Sequence, residues 1–401
     1  MRVLHVLQMS LPAQSGYAIR TSYITSCQAK LGIDCVAVTS ARQPGVTQEV
    51  EEIDGLRIRR TAPLVGPQPP LLRELRLMQA LYRSVCQAIR QWDPDVVHAH
   101  SPVLVGLPAL RAAHRFNKPL VYEVRDLWEN ASVDHGKFTE RSLQYQLARG
   151  GETRVFQRAE AVVTICEAMR DHIAPRVAVG TPLRVIANGV TAETFTPTPP
   201  SAALREQLGL AGKQLFGFLG SFEPWEGLPE LIAAVPHVIE KLPNAHLLIV
   251  GGGHLDDTLR ALVKQRGLER HVTFTGRVPH SEVQALLALP DLLVYPRIRT
   301  RVTELTTPIK PLEAMAMARP VLVSDVAALL ELVRPGETGM AFRAGDVGDL
   351  SSKIVQILSD AALRERLGKN ARAYVEAERD WAQLIAGYQG VYRAAIERRG
   401  A

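Results

Sequence analysis

Between Arg297 and Pro320 the chain reads RIRTRVTELTTPIKPLEAMAMARP, a charged loop that runs into a helix, and this stretch holds the residues best suited to chemistry. Thr306-Thr307-Pro308-Ile309 sets a threonine cap and a first-turn proline ahead of the helix, the combination that starts one. Lys310 and Glu313 follow in its first turns. A helix start offers unpaired N–H groups and the positive end of the peptide dipole, which suits an anion, and a lysine beside it suits a phosphate. Glu313 shares the face of Lys310 and could accept hydrogen bonds from sugar hydroxyls. The same spacing also describes an ordinary capped helix with a solvated Lys310–Glu313 pair, so context has to decide.

Other reactive residues stand at predicted strand ends. Asp95 to His100, DVVHAH, closes a strand with His98 and His100 on one face. Two histidines at that spacing could ligate a metal, but no third ligand is evident, so a metal is the minor reading. Arg125 and Asp126 follow the strand Leu120–Glu123 and so lie at its carboxyl end, where open α/β sheets bind ligands, unless they form a structural ion pair. Gly16, in QMSLPAQSGYAIR, follows the strand Val3–Leu7 and precedes a helix over 18–31, either as a flexible ligand loop or as a plain strand-to-helix turn. Gly251-Gly252-Gly253 invites a dinucleotide reading, but Asp256 stands where that fingerprint wants its third glycine.

Composition limits the alternatives. A chain of 401 residues exceeds what one core usually fills, and 46% hydrophobic with 22% charged residues is globular. The net charge of +6 fits an anionic substrate or an anionic membrane surface but does not imply nucleic acid without a clustered patch. Cys27, Cys35, Cys86 and Cys166 are scattered, which argues against a disulfide framework and for a reducing cytoplasm. No apolar run is long enough to span a bilayer, and MRVLHVLQMS does not read as a signal peptide, so the expectation is a chain neither membrane-spanning nor exported.

The elements that must position these residues alternate strand and helix throughout. The first series holds strands at 3–7, 35–39, 95–100, 120–123, 161–165 and 183–186. A long basic helix, Leu71–Trp92, carries Arg73, Arg76, Arg83 and Arg90 among Leu72, Leu75, Leu77, Leu81 and Val85. Such a helix could lie on anionic lipid, though it more commonly covers a domain surface. TFTPTPPS, 194–201, is a proline-rich hinge. A second series follows, with strands at 214–219, 246–250, 272–274, 292–295 and 321–323. The fold class is therefore α/β, two Rossmann-like domains facing each other across a cleft, with boundaries at 1–195 and 196–370.

The succession NGV, GSFEPWEGLPELI, LLIVGGG, VTFTGRVP, DLLVYP, KPLEAMAMARPVLVSD and ELVRPGETG closely resembles the retaining glycosyltransferases of GT-B fold, the sucrose-synthase and mannosyltransferase-like group, over nearly the whole chain. SLPAQSGYAIRTS and RTRVTELTTPIKPLEAMA look most like the bacterial subset associated with exopolysaccharide and exosortase (PEP-CTERM) gene clusters.

The resemblance implies transfer of a sugar, with retention and no bound metal or cofactor, from a nucleotide sugar to an acceptor hydroxyl. A UDP-sugar is favoured over a GDP-sugar, and the acceptor is a glycan or lipid-linked sugar. The first domain would hold the acceptor and the second the nucleotide, and helices 371–401 would cross back onto the first. The protein would be cytoplasmic, with a peripheral contact at the inner membrane face and no nucleic-acid partner.

By the same resemblance Glu313 binds the ribose, Gly16 closes over the diphosphate, Arg277-Val278 contacts the base, and the loop after Gly220 faces the phosphates. His100, Arg125 and Asp126 would stand on the acceptor side. Three departures stand out. Glu304 is one residue out of register with the family's first glutamate, Arg125 replaces a histidine, and the diphosphate-clamping arginine and lysine are Ser221 and Glu226. Lys310 is therefore expected to supply the missing cation, and Glu304 or the backbone near Thr306 to meet sugar hydroxyls. The alternatives are a GT-B nucleotide-sugar epimerase and a non-catalytic sugar-nucleotide-binding subunit.

Overall fold

Short, nearly unbroken apolar runs form the strands, as expected of parallel sheets covered on both faces. The computed structural model describes residues 1–400 apart from Gln14, Gln68, His135, Lys137 and Phe138. The first sheet contains β1 (Arg2–Leu7), β2 (Asp34–Thr39), β3 (Val50–Ile53), β4 (Leu56–Arg60), β5 (Val96–His100), β6 (Leu120–Val124), β7 (Ala161–Thr164) and β8 (Leu183–Val185), in the order β3-β4-β2-β1-β5-β6-β7-β8. Only β3 runs antiparallel to its neighbour. It joins β4 through Asp54-Gly55, both at positive φ, a hairpin signal that the sequence reading passed over.

The second sheet is wholly parallel. It comprises β9 (Gln214–Ser221), β10 (Ala245–Gly252), β11 (Val272–Gly276), β12 (Leu292–Tyr295), β13 (Val321–Ser324) and β14 (Met340–Phe342), in the order β11-β10-β9-β12-β13-β14. Its core gathers the Val, Leu, Ile and Phe side chains of β9, β10, β12 and β13 with the inner faces of the helices Leu228–Lys241 and Val347–Ser359.

The chain divides into one unit of Met1–Asn188 with Trp381–Ala401 and another of Gly189–Asp380. These divisions lie away from the boundaries at 195 and 370, for a local reason. The Val190 N–H donates to Arg379 O at 2.9 Å, Val190 and Phe195 sit in the second core, and the Arg372 guanidinium donates to Ala192 O and Phe195 O. The proline-rich stretch is held as well, with Arg319 Nη2 donating to Thr198 O at 2.9 Å. The helix Ala361–Glu378 belongs to the second unit, and the helix Trp381–Gly400 packs in the first, on Gly16–Lys30.

Candidate functional site

In the second unit β9 lies between β10 and β12, so the chain winds in opposite directions from β9 and from β12. The carboxyl ends of these two strands therefore flank the switch point, where doubly wound sheets bind ligands. β9 ends in Gly220-Ser221, and β12 ends at Tyr295 and leads to Arg297. Between them stands Lys310. A Cβ placed on Gly220 would lie 2.3 Å from Lys310 Nζ, so only a glycine leaves room for the amine, which also lies 5.2 Å above the Phe218 ring. The Tyr295 hydroxyl donates to Lys310 O at 3.0 Å and fixes the base of that side chain.

Glu226 is the counter-ion of this site. Its Oε1 lies 3.0 Å from Arg297 Nη2 and 3.4 Å from Lys310 Nζ, and its Oε2 lies 3.3 Å from Arg297 Nε. The Glu226 side chain is 4% exposed and that of Lys310 25%. Burial pushes the Glu226 carboxyl up, but the two cations outweigh it and hold the group at about 2. Its turn is pinned by the Ile298 N–H, which donates to Trp225 O at 3.1 Å, and by Gly227, whose Cβ would strike Pro296 O. Lys310 thus pairs with a residue far away in sequence instead of with Glu313. Burial pushes the Glu313 carboxyl up to about 7 against the pull of the Lys310 charge.

The expected helix start is corrected. The helix is Lys310–Ala316, Ile309 stands at its cap without a side-chain hydrogen bond, and its first-turn proline is Pro311. Thr306, Thr307 and Pro308 precede it as non-helical chain, and Thr306 closes the helix Arg301–Leu305, whose own cap is Thr300 in a reciprocal pair with Thr303. Proline fills the early-turn role two residues after the cap, so the earlier Thr-Thr-Pro is free to act as a connector. Thr306 O accepts Arg297 Nη1 at 3.0 Å.

Glu304 does not join this group. Its Oε2 accepts the Ala327 N–H at 2.8 Å and its Oε1 pairs with Arg299, so its carboxylate serves the start of the helix Ala327–Leu330. Arg277 follows β11 and lies across Gly252, where a Cβ would come 3.0 Å from Arg277 Cγ. Val278 packs against the core.

The switch point of the first unit lies between β1 and β5, and there the sequence reading missed a residue. His5, opposite His98 in the β1–β5 register, is the third histidine that DVVHAH lacked, and His5, His98 and His100 are all wholly buried. A histidine inside the apolar run RVLHVL was the available signal. The protons of this cluster can be assigned from one end. Arg125 Nη2 can only donate, so His100 Nδ1 accepts at 2.8 Å, and His100 Nε2–H donates to His5 Nδ1 at 3.0 Å. His5 Nε2–H then donates to Gln28 Oε1 at 3.0 Å, and Gln28 Nε2 donates to the Tyr392 oxygen at 2.7 Å.

The Tyr392 hydroxyl donates to His98 Nδ1 at 2.8 Å, which leaves His98 Nε2–H facing Glu123 Oε2 at 3.3 Å. Glu123 accepts from Arg125 Nε at 2.8 Å, whereas His98 Nε2 lies near its other oxygen without a hydrogen bond. Burial lowers all three imidazoles toward the neutral form, and the accepting nitrogen of each is taken, so a metal ion would have to displace Arg125, His100 or Tyr392 from these bonds.

His100 and Arg125 are therefore corrected from substrate-facing residues to members of a buried network. Arg125 also donates to Tyr17 O and Thr21 Oγ1, both at 2.8 Å. Burial raises the Glu123 carboxyl, but Arg20 and Arg125 outweigh it and keep it well below the usual range. Asp126 differs. It is half-buried, accepts the Ser101 hydroxyl at 2.9 Å, and is pushed up by burial. Gly16 opens the helix Gly16–Lys30 as its first residue behind the Ser15 cap, with open space around it, so neither a positive φ nor a close approach requires glycine there.

In the helix Pro70–Trp92, Leu77, Leu81, Val85 and Ile89 are buried, whereas Leu71, Leu72 and Leu75 are exposed beside Arg73 and Arg76. Among the described residues no helix is long and apolar enough to cross a membrane.

Two doubly wound α/β units, each with its polar residues at a switch point, define the GT-B glycosyltransferase fold. The sucrose-phosphate synthase of Thermosynechococcus elongatus aligns over 98% of each chain with a TM-score of 0.79 at 22% identity. Anabaena HepE in complex with UDP aligns over 98% of this chain and all of its own, with a TM-score of 0.75 at 20% identity. Residues 200–374 match Glycosyl transferases group 1 and residues 15–189 match the Glycosyl transferase 4-like domain, and the chain belongs to the group 1 glycosyltransferases. Among curated relatives, the glycogen synthase of Mycobacterium tuberculosis is 29% identical over 76% of this chain and 70% of its own. The GDP-mannose-dependent monoacylated alpha-(1-6)-phosphatidylinositol monomannoside mannosyltransferase of Corynebacterium glutamicum is 34% identical over 49% and 52%.

Proposed function

We propose that this glycosyltransferase moves a sugar from a nucleoside-diphosphate sugar to an acceptor hydroxyl, with retention at the anomeric carbon and without a metal. One observation carries the reading: the Lys310 ammonium is set beside Gly220 at the switch point of the second unit, next to Glu313. As the anomeric C–O bond breaks, negative charge collects on the departing diphosphate, and a cation already in place stabilises it without reorganisation. Lys310 takes that role, Glu313 the ribose hydroxyls and Arg277 with Val278 the base, while the 306–309 backbone lies toward the sugar. The non-catalytic alternative is motivated by the lost clamp residues, Ser221 and Glu226, and a lysine 3.4 Å from Glu226 supports the catalytic reading over it.

Acceptor binding is assigned to the first unit, with Asp126 orienting either the acceptor or the sugar. A groove of about 780 Å³ lies there, lined by Thr21, Ser22, Thr25 and Ser26 of the helix Gly16–Lys30 together with Ile53, Leu56 and Ile58. A lining that mixes small polar and apolar side chains suits a glycan carried on a lipid or an apolar aglycone. A UDP-sugar is the favoured donor, in keeping with the UDP-bound HepE, and exopolysaccharide or other cell-surface glycan synthesis the favoured setting.

The test is a thermal-shift screen of nucleotide sugars followed by product analysis by NMR. A donor at 100 times its Kd should stabilise by about 2.7 kcal/mol. Release of nucleotide with an α-configured product from an α-configured donor supports the reading. No shift and no turnover with any nucleotide sugar overturns it, and an epimerised free sugar points to the epimerase.

A further inference from the structure

The reading of Lys310 as the diphosphate cation leaves open why a carboxylate is buried against it. Glu226 stands in a turn after β9, Arg297 follows β12, and Lys310 opens the helix beyond. Arg297 holds both carboxylate oxygens, at 3.0 and 3.3 Å, whereas Lys310 reaches only one, at 3.4 Å. The Arg297–Glu226 pair is therefore the fixed element, and Lys310 the loosely held partner. Arg297 is locked in turn: its Nη1 donates to Thr306 O at 3.0 Å and its carbonyl accepts the Ser324 hydroxyl at 2.6 Å.

Without Glu226 two cations would face each other in a half-buried crevice and Lys310 would be driven off toward water. With it the three residues carry one net positive charge, and the free end of that charge is the lysine at Gly220. We propose that Glu226 is a positioning residue for the transfer reaction: anchored by Arg297, it draws the Lys310 ammonium into the space that Gly220 leaves, and it yields the lysine to the departing diphosphate.

This inference rests on the proposed role of Lys310, and a double-mutant cycle separates the two. Turnover is read as UDP released from the nucleotide sugar that the screen selects, and UDP itself is the binding probe, followed by calorimetry. Glu226→Gln should lower kcat about 10- to 100-fold, as misplacing a preorganised group does. It should leave UDP affinity nearly unchanged, because losing the carboxylate's negative charge offsets the displaced ammonium and Arg297 stays in place. A role confined to folding would weaken both together. Glu226→Asp keeps the charge for Arg297 but withdraws it from Lys310, and should show the same fall in kcat with an unchanged melting temperature, which covers the case where glutamine fails to fold.

In a Lys310→Ala background Glu226→Gln should cost no further kcat, since its effect runs through the lysine. If Lys310→Ala impairs turnover while Glu226→Asp and Glu226→Gln do not, or if the losses add fully, the positioning role is refuted and the lysine's role stands. If Lys310→Ala turns over normally, both fall.

Discussion

Gly220 and Lys310 share one volume: a Cβ on residue 220 would fall 2.3 Å from the lysine Nζ, 2.4 Å from Cε and 2.7 Å from Cδ. Because the clash is with a flexible tail, Gly220→Ala should fold, with added backbone strain from the φ of +154° at that position, but expel the amine from the switch point. The expected outcome is a loss of about 1–3 kcal/mol in stability, the usual range for overpacking. UDP binding, measured by calorimetry, should weaken by about tenfold as the cation leaves. An alanine variant that binds UDP as the parent does would show that the amine has no part in the site.

Removal of the amine itself should act on catalysis more than on folding. Lys310→Ala is expected to lower kcat/KM by roughly 10²–10³, the cost of losing one preorganised stabiliser. The melting temperature should scarcely move, since Glu226 keeps Arg297. The parent enzyme should run equally well in EDTA, because a lysine in this role makes a divalent cation unnecessary. Activity that collapses in chelator and returns with manganese would contradict the metal-free reading.

The carboxyl of Glu313 predicts a pH dependence of donor binding. Burial raises it from 4.5 to about 7 in the folded protein, so between these values the folded state holds a proton that the unfolded chain has released, and folding stability falls as pH rises through that window. Ribose hydroxyls that donate to this group favour its ionised form. Donor affinity should therefore rise with pH, by at most about tenfold per unit, and level off above 7. The probe should be a nucleotide sugar, whose diphosphate has no terminal phosphate to titrate in this range. Glu313→Gln should flatten the profile, and a profile that stays steep in this variant would assign the proton elsewhere.

The buried polar network of the first unit predicts where acid unfolds the protein. His5 is held at about 3 by burial, below its usual 6.5, so as pH falls through that interval the unfolded chain takes up a proton that the folded one refuses, and stability declines. Tyr392→Phe strands both Gln28 Nε2 and His98 Nδ1, at about 1–3 kcal/mol for each buried group. Glu123→Gln leaves Arg20 and Arg125 without their carboxylate and should cost about 3–5 kcal/mol. Calorimetry between pH 4 and 7 would check both, and a Tyr392→Phe protein as stable as its parent would mean that the network does not couple the last helix to the sheet.

Exposed Leu71, Leu72 and Leu75 beside Arg73 and Arg76 fit peripheral contact with anionic lipid. Co-sedimentation should be stronger with anionic than with neutral vesicles and should fall when Arg73, Arg76, Arg83 and Arg90 become glutamine. Equal binding to both vesicles would remove the electrostatic basis.

Local pattern alone determined most of the alternation of strand and helix, though not the β3–β4 hairpin or β14, because a buried parallel strand has to be a short apolar run and its covering helix an amphipathic one. The sequence of motifs from NGV to ELVRPGETG was likewise enough to show the family, and Lys310 with Glu313 could be read as a helix-start pair. What lay beyond it were relations between strands distant in the chain. His5 and His98 meet only because β1 and β5 are neighbours, and that turned an incomplete metal motif into part of a buried hydrogen-bond network. Glu226 looked like a residue of the wrong sign until β9 and β12 came together and set Arg297 and Lys310 around it. Spacing along a chain reports which residues share a helix or strand face, whereas a buried charge is interpretable only once its counter-ions are known, and those are supplied by the packing of the sheet.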